Sequence, residues 1–220
     1  MVGIAGAIPA GPINQMNQKQ IWNKIASQWH NFRQKPTEEV IWFLNKYCKN
    51  KGEIIDIGCG NARNLIPFAN LNFECSGIDF SENMLKNAKA LADKNKVKIS
   101  LELADIAKIP YPNNSFDYCL HLASLHHLET KEEQFKSLQE THRVLKQNGL
   151  VLLTVWNKLQ LKFLLKSKDT YVSWKINNKV YKRYYHLFTY FELKRLIKKT
   201  KFEIIKAKPF GKNLVFILKK

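Results

Sequence analysis

The chain has 220 residues, of which 45% are hydrophobic and 25% charged, enough apolar content for a substantial core and enough to exclude wholesale disorder. Its formal net charge is +18, yet residues 157–220 hold 18 basic side chains against three acidic ones (Asp169, Glu192 and Glu203). So one-sided an excess points to a polyanionic partner, a nucleic acid or an anionic membrane face, and no apolar run approaches the roughly 18 residues that a membrane span needs.

Residues 1–15 are small, apolar and uncharged, and read as an upstream extension or cloning scar ahead of a single domain over 16–220. Gln18–His30 carries Ile21, Trp22, Ile25, Ala26 and Trp29 at helical spacing, and Thr37–Cys48 repeats the pattern behind Pro36. Short apolar strands then alternate with helices. Strands are expected at Glu53–Ile57, Phe73–Ile78, Val97–Leu103, Phe116–Leu122 and Leu150–Trp156, with helices near Arg63–Ala69, Glu82–Lys94 and Lys131–Lys146. Thr130 to Glu133 has capping-box form. Such alternation implies βαβ units, a parallel sheet and helices on both faces.

After Trp156 the alternation stops, and 157–188 reads as a basic, aromatic insertion after the fifth strand. Tyr171–Ile176 and Lys179–Tyr185 flank Asn177-Asn178, a hairpin turn because asparagine tolerates positive φ. A capping box at Thr189 opens a helix to about Lys199, and strands at Phe202–Lys208 and Leu214–Leu218 close the chain. Cys48, Cys59, Cys75 and Cys119 are scattered without a CxxC pair, which argues against a disulfide framework and for a reducing, cytoplasmic setting. Cys119, His121, His126 and His127 have no recognised metal-ligand spacing, so no metal is expected.

The sharpest local signal is Glu53-Ile-Ile-Asp56-Ile-Gly58-Cys59-Gly60-Asn61: a strand, an acidic residue, then a Gly-x-Gly turn into a helix. The glycines let the backbone lie against a ligand where a Cβ would clash. Asp79 ends the next strand, where a carboxylate can accept from both hydroxyls of a ribose. Asp105 ends the third, where a base edge would lie. A dinucleotide site wants a further glycine at position 63, which is arginine here, and Asp56 would repel a pyrophosphate. An acidic residue at position 56 suits instead a ligand with a cationic tail, such as the amino end of S-adenosylmethionine, and acidic residues at three successive strand ends strengthen that reading.

These residues, with Asn114-Ser-Phe-Asp117 and Arg143-Val-Leu-Lys-Gln-Asn-Gly149, resemble the class I S-adenosylmethionine-dependent methyltransferases. Ala62 stands where a third glycine is common, and Gln147-Asn148 replaces Pro-Gly. The resemblance implies a Rossmann-like α/β fold with seven strands in the order 3-2-1-4-5-7-6, the last antiparallel. It also implies a cofactor site of Asp56, Gly58, Cys59, Gly60, Asn61, Asp79, Phe80, Asp105, Ile106 and Leu122.

Most of the chain from residue 20 is also similar to the tRNA wobble-uridine carboxymethyl methyltransferases, which include the methyltransferase portion of the AlkB-homologue fusion protein. Ile25 to Pro36, Ser124-Leu-His-His127, Val155-Trp156, Tyr171 to Trp174 and Arg183-Tyr-Tyr-His-Leu-Phe188 carry that resemblance. It implies that the acceptor is 5-carboxymethyluridine in a tRNA anticodon stem-loop and the product its methyl ester. Arg33 would clamp the carboxylate, His126 or His127 would donate to the uracil or the carboxylate, and Trp156 with Tyr184 or Tyr185 would offer faces to a flipped base. Lys175, Lys179, Lys182 and Arg183, interleaved with aromatics, would track phosphates. The family further implies a small zinc-binding activator protein that adds a strand at the Val97–Leu103 edge. A small-molecule methyltransferase and a non-catalytic RNA-binding subunit are the alternatives on the same fold.

Overall fold

A computed structural model describes residues 16–220, and the extension expected over 1–15 lies outside them. Six α-helices and nine strands are formed by the described residues: α1 Gln18–Phe32, α2 Glu38–Tyr47, β1 Glu53–Ile57, α3 Ile66–Asn70, β2 Glu74–Asp79, α4 Glu82–Lys94, β3 Ser100–Leu103, β4 Phe116–Leu122, α5 Lys131–Val144, β5 Leu145–Trp156, β6 Asp169–Ile176, β7 Lys179–His186, α6 Tyr190–Lys199, β8 Glu203–Lys208 and β9 Asn213–Lys219. Seven strands make one sheet in the order β3-β2-β1-β4-β5-β9-β8, parallel through β5 and antiparallel at β9. With β6 and β7 set apart as a two-stranded sheet, this is the expected 3-2-1-4-5-7-6 order with a hairpin inserted after the fifth strand.

Alternate residues of the central strands bury on opposite faces, as a sheet covered on both sides requires. Ile54, Leu120, Leu152 and Ile217 pack under Phe43 and Leu44 of α2 and Phe68 of α3. Ile55, Cys119, Leu153 and Phe216 pack under Leu138 of α5 and Leu193 and Ile197 of α6. Cys119 and His121 are fully buried in β4.

Element boundaries depart from expectation where tertiary contacts decide them. The third strand begins at Ser100, whose pairing with Ser76 is the first of its register with β2, and Val97 to Ile99 lie outside it. The helix expected from Arg63 starts at Ile66, with Pro67 in its first turn, after a chain of tight turns through residues 61–65. α5 stops at Val144 because Leu145 turns extended (φ −74°, ψ 143°) and pairs with Phe116, so β5 starts five residues early. The hairpin turns as expected, with Asn177 at φ 51°.

Helix α1 crosses outside α4 and against the hairpin, where Trp22, Ile25 and Ala26 meet Met84, Trp174, Ile176 and Tyr181. Its start is fixed by a capping box between Asn17 and Gln20. Gln18 accepts from the Tyr184 amide (2.9 Å), Trp174 Nε1 donates to Gln28, and Asn23 Oδ1 accepts from Ser81 Oγ (2.7 Å). One helix thereby joins the hairpin to the N-terminus of α4, over the C-terminal ends of the parallel strands, where open α/β sheets place ligands.

Candidate active site

A cleft of about 640 Å³ opens at those strand ends, within the usual range for a small-molecule site. Its first half is built on the β1–α3 turn. Gly58 has φ 76°, and a Cβ there would meet the Ser124 Cβ at 2.5 Å, so only glycine fits. Ser124 Oγ in turn donates to Ile57 O at 2.7 Å. Gly60 N donates to Asp79 Oδ2 and Ser81 N to Asp79 Oδ1, both at 2.9 Å, which aims the carboxylate across the strand ends. Each oxygen keeps a lone pair for a further donor. Burial pushes the Asp79 carboxyl up to about 6 against the pull of those amides. Ala62 takes φ 56°, which explains why a glycine is common at that position.

Gly58, Cys59, Gly60, Asp79, Phe80, Asp105, Ile106 and Leu122 of the expected cofactor set all line the cleft. Asp56 and Asn61 do not. Asp56 is 1% exposed, beneath the glycine turn, with no hydrogen-bond partner for either oxygen, and burial and the neighbouring Asp79 push its carboxyl up to about 8 despite Arg63. Asn61 is a tie: its Nδ2 lies 2.9 Å from His30 Nδ1 and 2.6 Å from Arg33 O, holding the end of α1 to the glycine turn.

The second half of the cleft comes from the 3-10 turn Leu125–His127, the end of β5 and the inner face of the hairpin. His126 Nδ1 accepts from the Trp156 amide at 3.1 Å, so its Nε2 carries the proton, and that atom is buried without a partner. His127 Nδ1 donates to Tyr184 O at 2.9 Å, leaving its Nε2 as the acceptor. Both rings are neutral: burial, helped by His127, drives His126 well below the usual imidazole range, and burial takes His127 down to about 4. The pair therefore offers one donor and one acceptor and no charge.

Trp156 and Tyr185 are stacked on each other (centroids 4.3 Å, planes 17° apart), and Trp156 also stacks on Phe163. The expectation that these rings offer open faces to a base is corrected by that packing: Tyr185 is 2% exposed and meets both histidines at 4.5–5.0 Å. Tyr184 is buried too, its hydroxyl donating to Asp169.

The basic residues separate as well. Lys175, Lys179 and Lys182 are exposed on the hairpin, but Arg183 points inward and is 7% exposed. Its guanidinium lies 4.9 Å from the Trp174 ring and 5.5 Å from Trp22, and its Nη1 donates to Tyr185 Oη at 2.8 Å. Its Nε is buried without a partner, and no acidic side chain pairs with it among the described residues. The expectation that Arg183 tracks phosphates beside the lysines is therefore corrected: it lines the cleft. Arg33 also lines the cleft, but at the exposed mouth, donating to Phe32 O.

Several lining residues were not expected at the site, among them Trp22, Trp29 and Arg63. The tryptophans of α1 read as a helix core stripe, and Arg63, 5.5 Å over Trp29, read only as a missing glycine.

The fold agrees with that of similar proteins. A family model described as a methyltransferase domain matches residues 55–153. A protein of Encephalitozoon cuniculi named as a methyltransferase is 30% identical over 187 residues, covering 81% of this chain and 83% of that one. The chain belongs to the class I S-adenosylmethionine-dependent methyltransferases. The tRNA (carboxymethyluridine(34)-5-O)-methyltransferase of Schizosaccharomyces pombe is 29% identical to this methyltransferase over 205 residues, covering 81% of this chain and 85% of that one. Among solved structures, an S-adenosylmethionine-dependent methyltransferase of Methanosarcina mazei superposes with a TM-score of 0.69 at 22% identity, over 81% of this chain and 96% of that one. The cofactor is S-adenosylmethionine, and the donor set fits it: a free lone pair on each Asp79 oxygen, and glycines at 58 and 60 where a Cβ would crowd the turn.

Proposed function

We propose that this methyltransferase esterifies the carboxylate of 5-carboxymethyluridine at the wobble position of a tRNA anticodon. The observation that carries the reading is Arg183. A buried guanidinium with no carboxylate beside it is costly, and a carboxylate acceptor entering the cleft supplies the missing partner. The name of the Schizosaccharomyces pombe relative supports the same acceptor.

On this reading Asp79 holds the ribose hydroxyls and Phe80, Asp105 and Ile106 flank the adenine, while Gly58 and Gly60 let the backbone approach the methionine end. S-adenosylmethionine supplies an electrophilic methyl group bonded to a positively charged sulfur. The Arg183 fork, braced by Tyr185, would grip the acceptor carboxylate and leave one oxygen free as the nucleophile. Held by Asp79 and the glycine turn, the cofactor would supply the methyl to that oxygen, with its sulfur as the leaving group that keeps the electron pair. No proton moves, because a carboxylate with a pKa near 4 is already ionised. The bare Nε2 of half-buried His127 meets the uracil as an acceptor, His126 packs behind it against Trp156 and Tyr185, and Arg33 meets the anion at the mouth. A zinc-binding activator on the open outer edge of β3 is part of the reading. Nucleoside mass analysis of tRNA carrying 5-carboxymethyluridine, after incubation with the protein and S-adenosylmethionine, tests it. Conversion to the methyl ester is expected, and a methyl group on any other position overturns it.

A further inference from the structure

Outside the cleft, one surface patch combines exposed apolar side chains with unpaired lysines. The segment between β5 and β6 forms a 3-10 turn, Leu161–Phe163, that buries Phe163 and turns its neighbours outward. Leu161 is 89% exposed, Leu165 fully so, and Leu159 and Leu164 are exposed beside them. The β8–β9 turn is fastened to this segment, since Asn157 Nδ2 donates to Gly211 O (3.1 Å) and Gln160 Nε2 to Lys212 O (2.8 Å). That turn adds Phe210, 76% exposed. Lys162, Lys166, Lys208 and Lys212 are exposed around these side chains, and none is in an ion pair among the described residues. Lys162 feels the charges of both Lys212 and Lys166.

The patch is continuous with the cleft. The Lys162 ammonium sits 4.7 Å from the Trp156 ring, and Trp156 is part of the cleft wall. An anion that meets Lys162 therefore lies one ring away from the acceptor site.

We infer that the Leu159–Lys166 turn and the Phe210–Lys212 turn together form the docking surface for the single-stranded RNA flanking the methylated nucleotide. Phosphates meet the lysines, and the unstacked faces of neighbouring bases lie on Leu161, Leu165 and Phe210. A duplex would leave the apolar side chains unmatched, since it presents phosphates and stacked bases. A polymer that delivers one nucleotide into the cleft must place its next phosphates near Lys162. The inference deepens the tRNA reading and rests on it for the identity of the RNA.

The test uses the full chain, an anticodon stem-loop RNA and two double variants, K166E/K212E and L161S/L165S. S-adenosylmethionine affinity and the thermal midpoint serve as folding controls. Charge reversal is expected to weaken RNA binding about ten-fold or more at moderate salt and to flatten log Kd against log salt by about 0.7 for each phosphate no longer neutralised. The serine pair is expected to weaken binding several-fold with the slope unchanged, because it removes only the apolar part. RNA affinity equal to wild type in both variants overturns the inference, as does a loss confined to binding of phosphatidylserine vesicles. If wild-type protein binds the RNA through this patch but yields no methyl ester, the functional reading fails and the patch stands. If the variants esterify and bind like wild type, the reverse holds.

Discussion

Arg183 and Asp79 line the same cleft, one a buried guanidinium without a carboxylate partner and the other a carboxylate with a free lone pair on each oxygen. Asp79 lies a fixed distance after a Gly-x-Gly turn, and that spacing is local, so its place at a strand end could be read directly. Arg183 looked like one more cation in a basic hairpin. Its burial arises because α1, some 160 residues earlier, packs Trp22 against the same ring cluster, a long-range contact without a local sign. The Arg183→Lys variant should lower kcat/KM for carboxymethylated RNA by about 100-fold or more, since a point charge replaces a two-pronged donor at a buried ion-pair site, while S-adenosylmethionine affinity stays within about two-fold. Steady-state kinetics with a separate cofactor titration checks both. The histidines yield a second prediction. Burial keeps His126 and His127 neutral, and the acceptor carboxylate is ionised above its pKa, so at saturating S-adenosylmethionine, where the ribose hydroxyls hold Asp79 ionised, the single-turnover rate should be flat between about pH 5.5 and 7. A rate rising through an imidazole pKa would mean a general base.

At the scale of elements, the sheet strands and most helices were legible because hydrophobic period and capping boxes are local. The boundaries that moved, at Ser100, Ile66 and Leu145, are those set by a partner strand or a tight turn. The hairpin was visible as alternation around two asparagines, but what anchors it was not. His186, at the end of β7, is 5% exposed and bridges Asp169 Oδ1 (2.7 Å) and Glu192 Oε1 (3.2 Å), tying β6, β7 and α6 together. Tyr184 also donates to Asp169, and Lys168 pairs with Glu192 at 2.9 Å. Burial alone would lower the His186 pKa, but Glu192 and Asp169 more than reverse this and raise it above 6.5. The contribution is therefore fully present below the unfolded value and is lost as pH rises through the folded one. Thermal melts should show a midpoint that declines as pH rises above about 6.5, and His186→Gln should lower the midpoint at pH 6 and remove much of the decline. A variant whose midpoint follows the wild-type curve at every pH would show that the bridge does not hold the hairpin.

Across the whole molecule, the charge distribution takes on a shape. The nearly neutral N-terminal part builds the cofactor turn, and the basic C-terminal part includes buried Arg183, the hairpin lysines and the patch beside Trp156, with Lys194, Arg195, Lys198 and Lys199 on α6. Composition placed the excess but could not divide it, because inward and outward directions follow from packing. No helix among the described residues is long and apolar enough to cross a membrane. A methyl group carried to a carboxylate forms a bond with its own chemistry: an ester is cleaved by alkali, whereas a methyl on a base nitrogen or a ribose oxygen survives it. The decisive measurement is transfer of radiolabelled methyl to tRNA bearing 5-carboxymethyluridine, followed by mild alkali and collection of volatile label. Nearly all incorporated label should be released as methanol; label that stays with the RNA would contradict esterification.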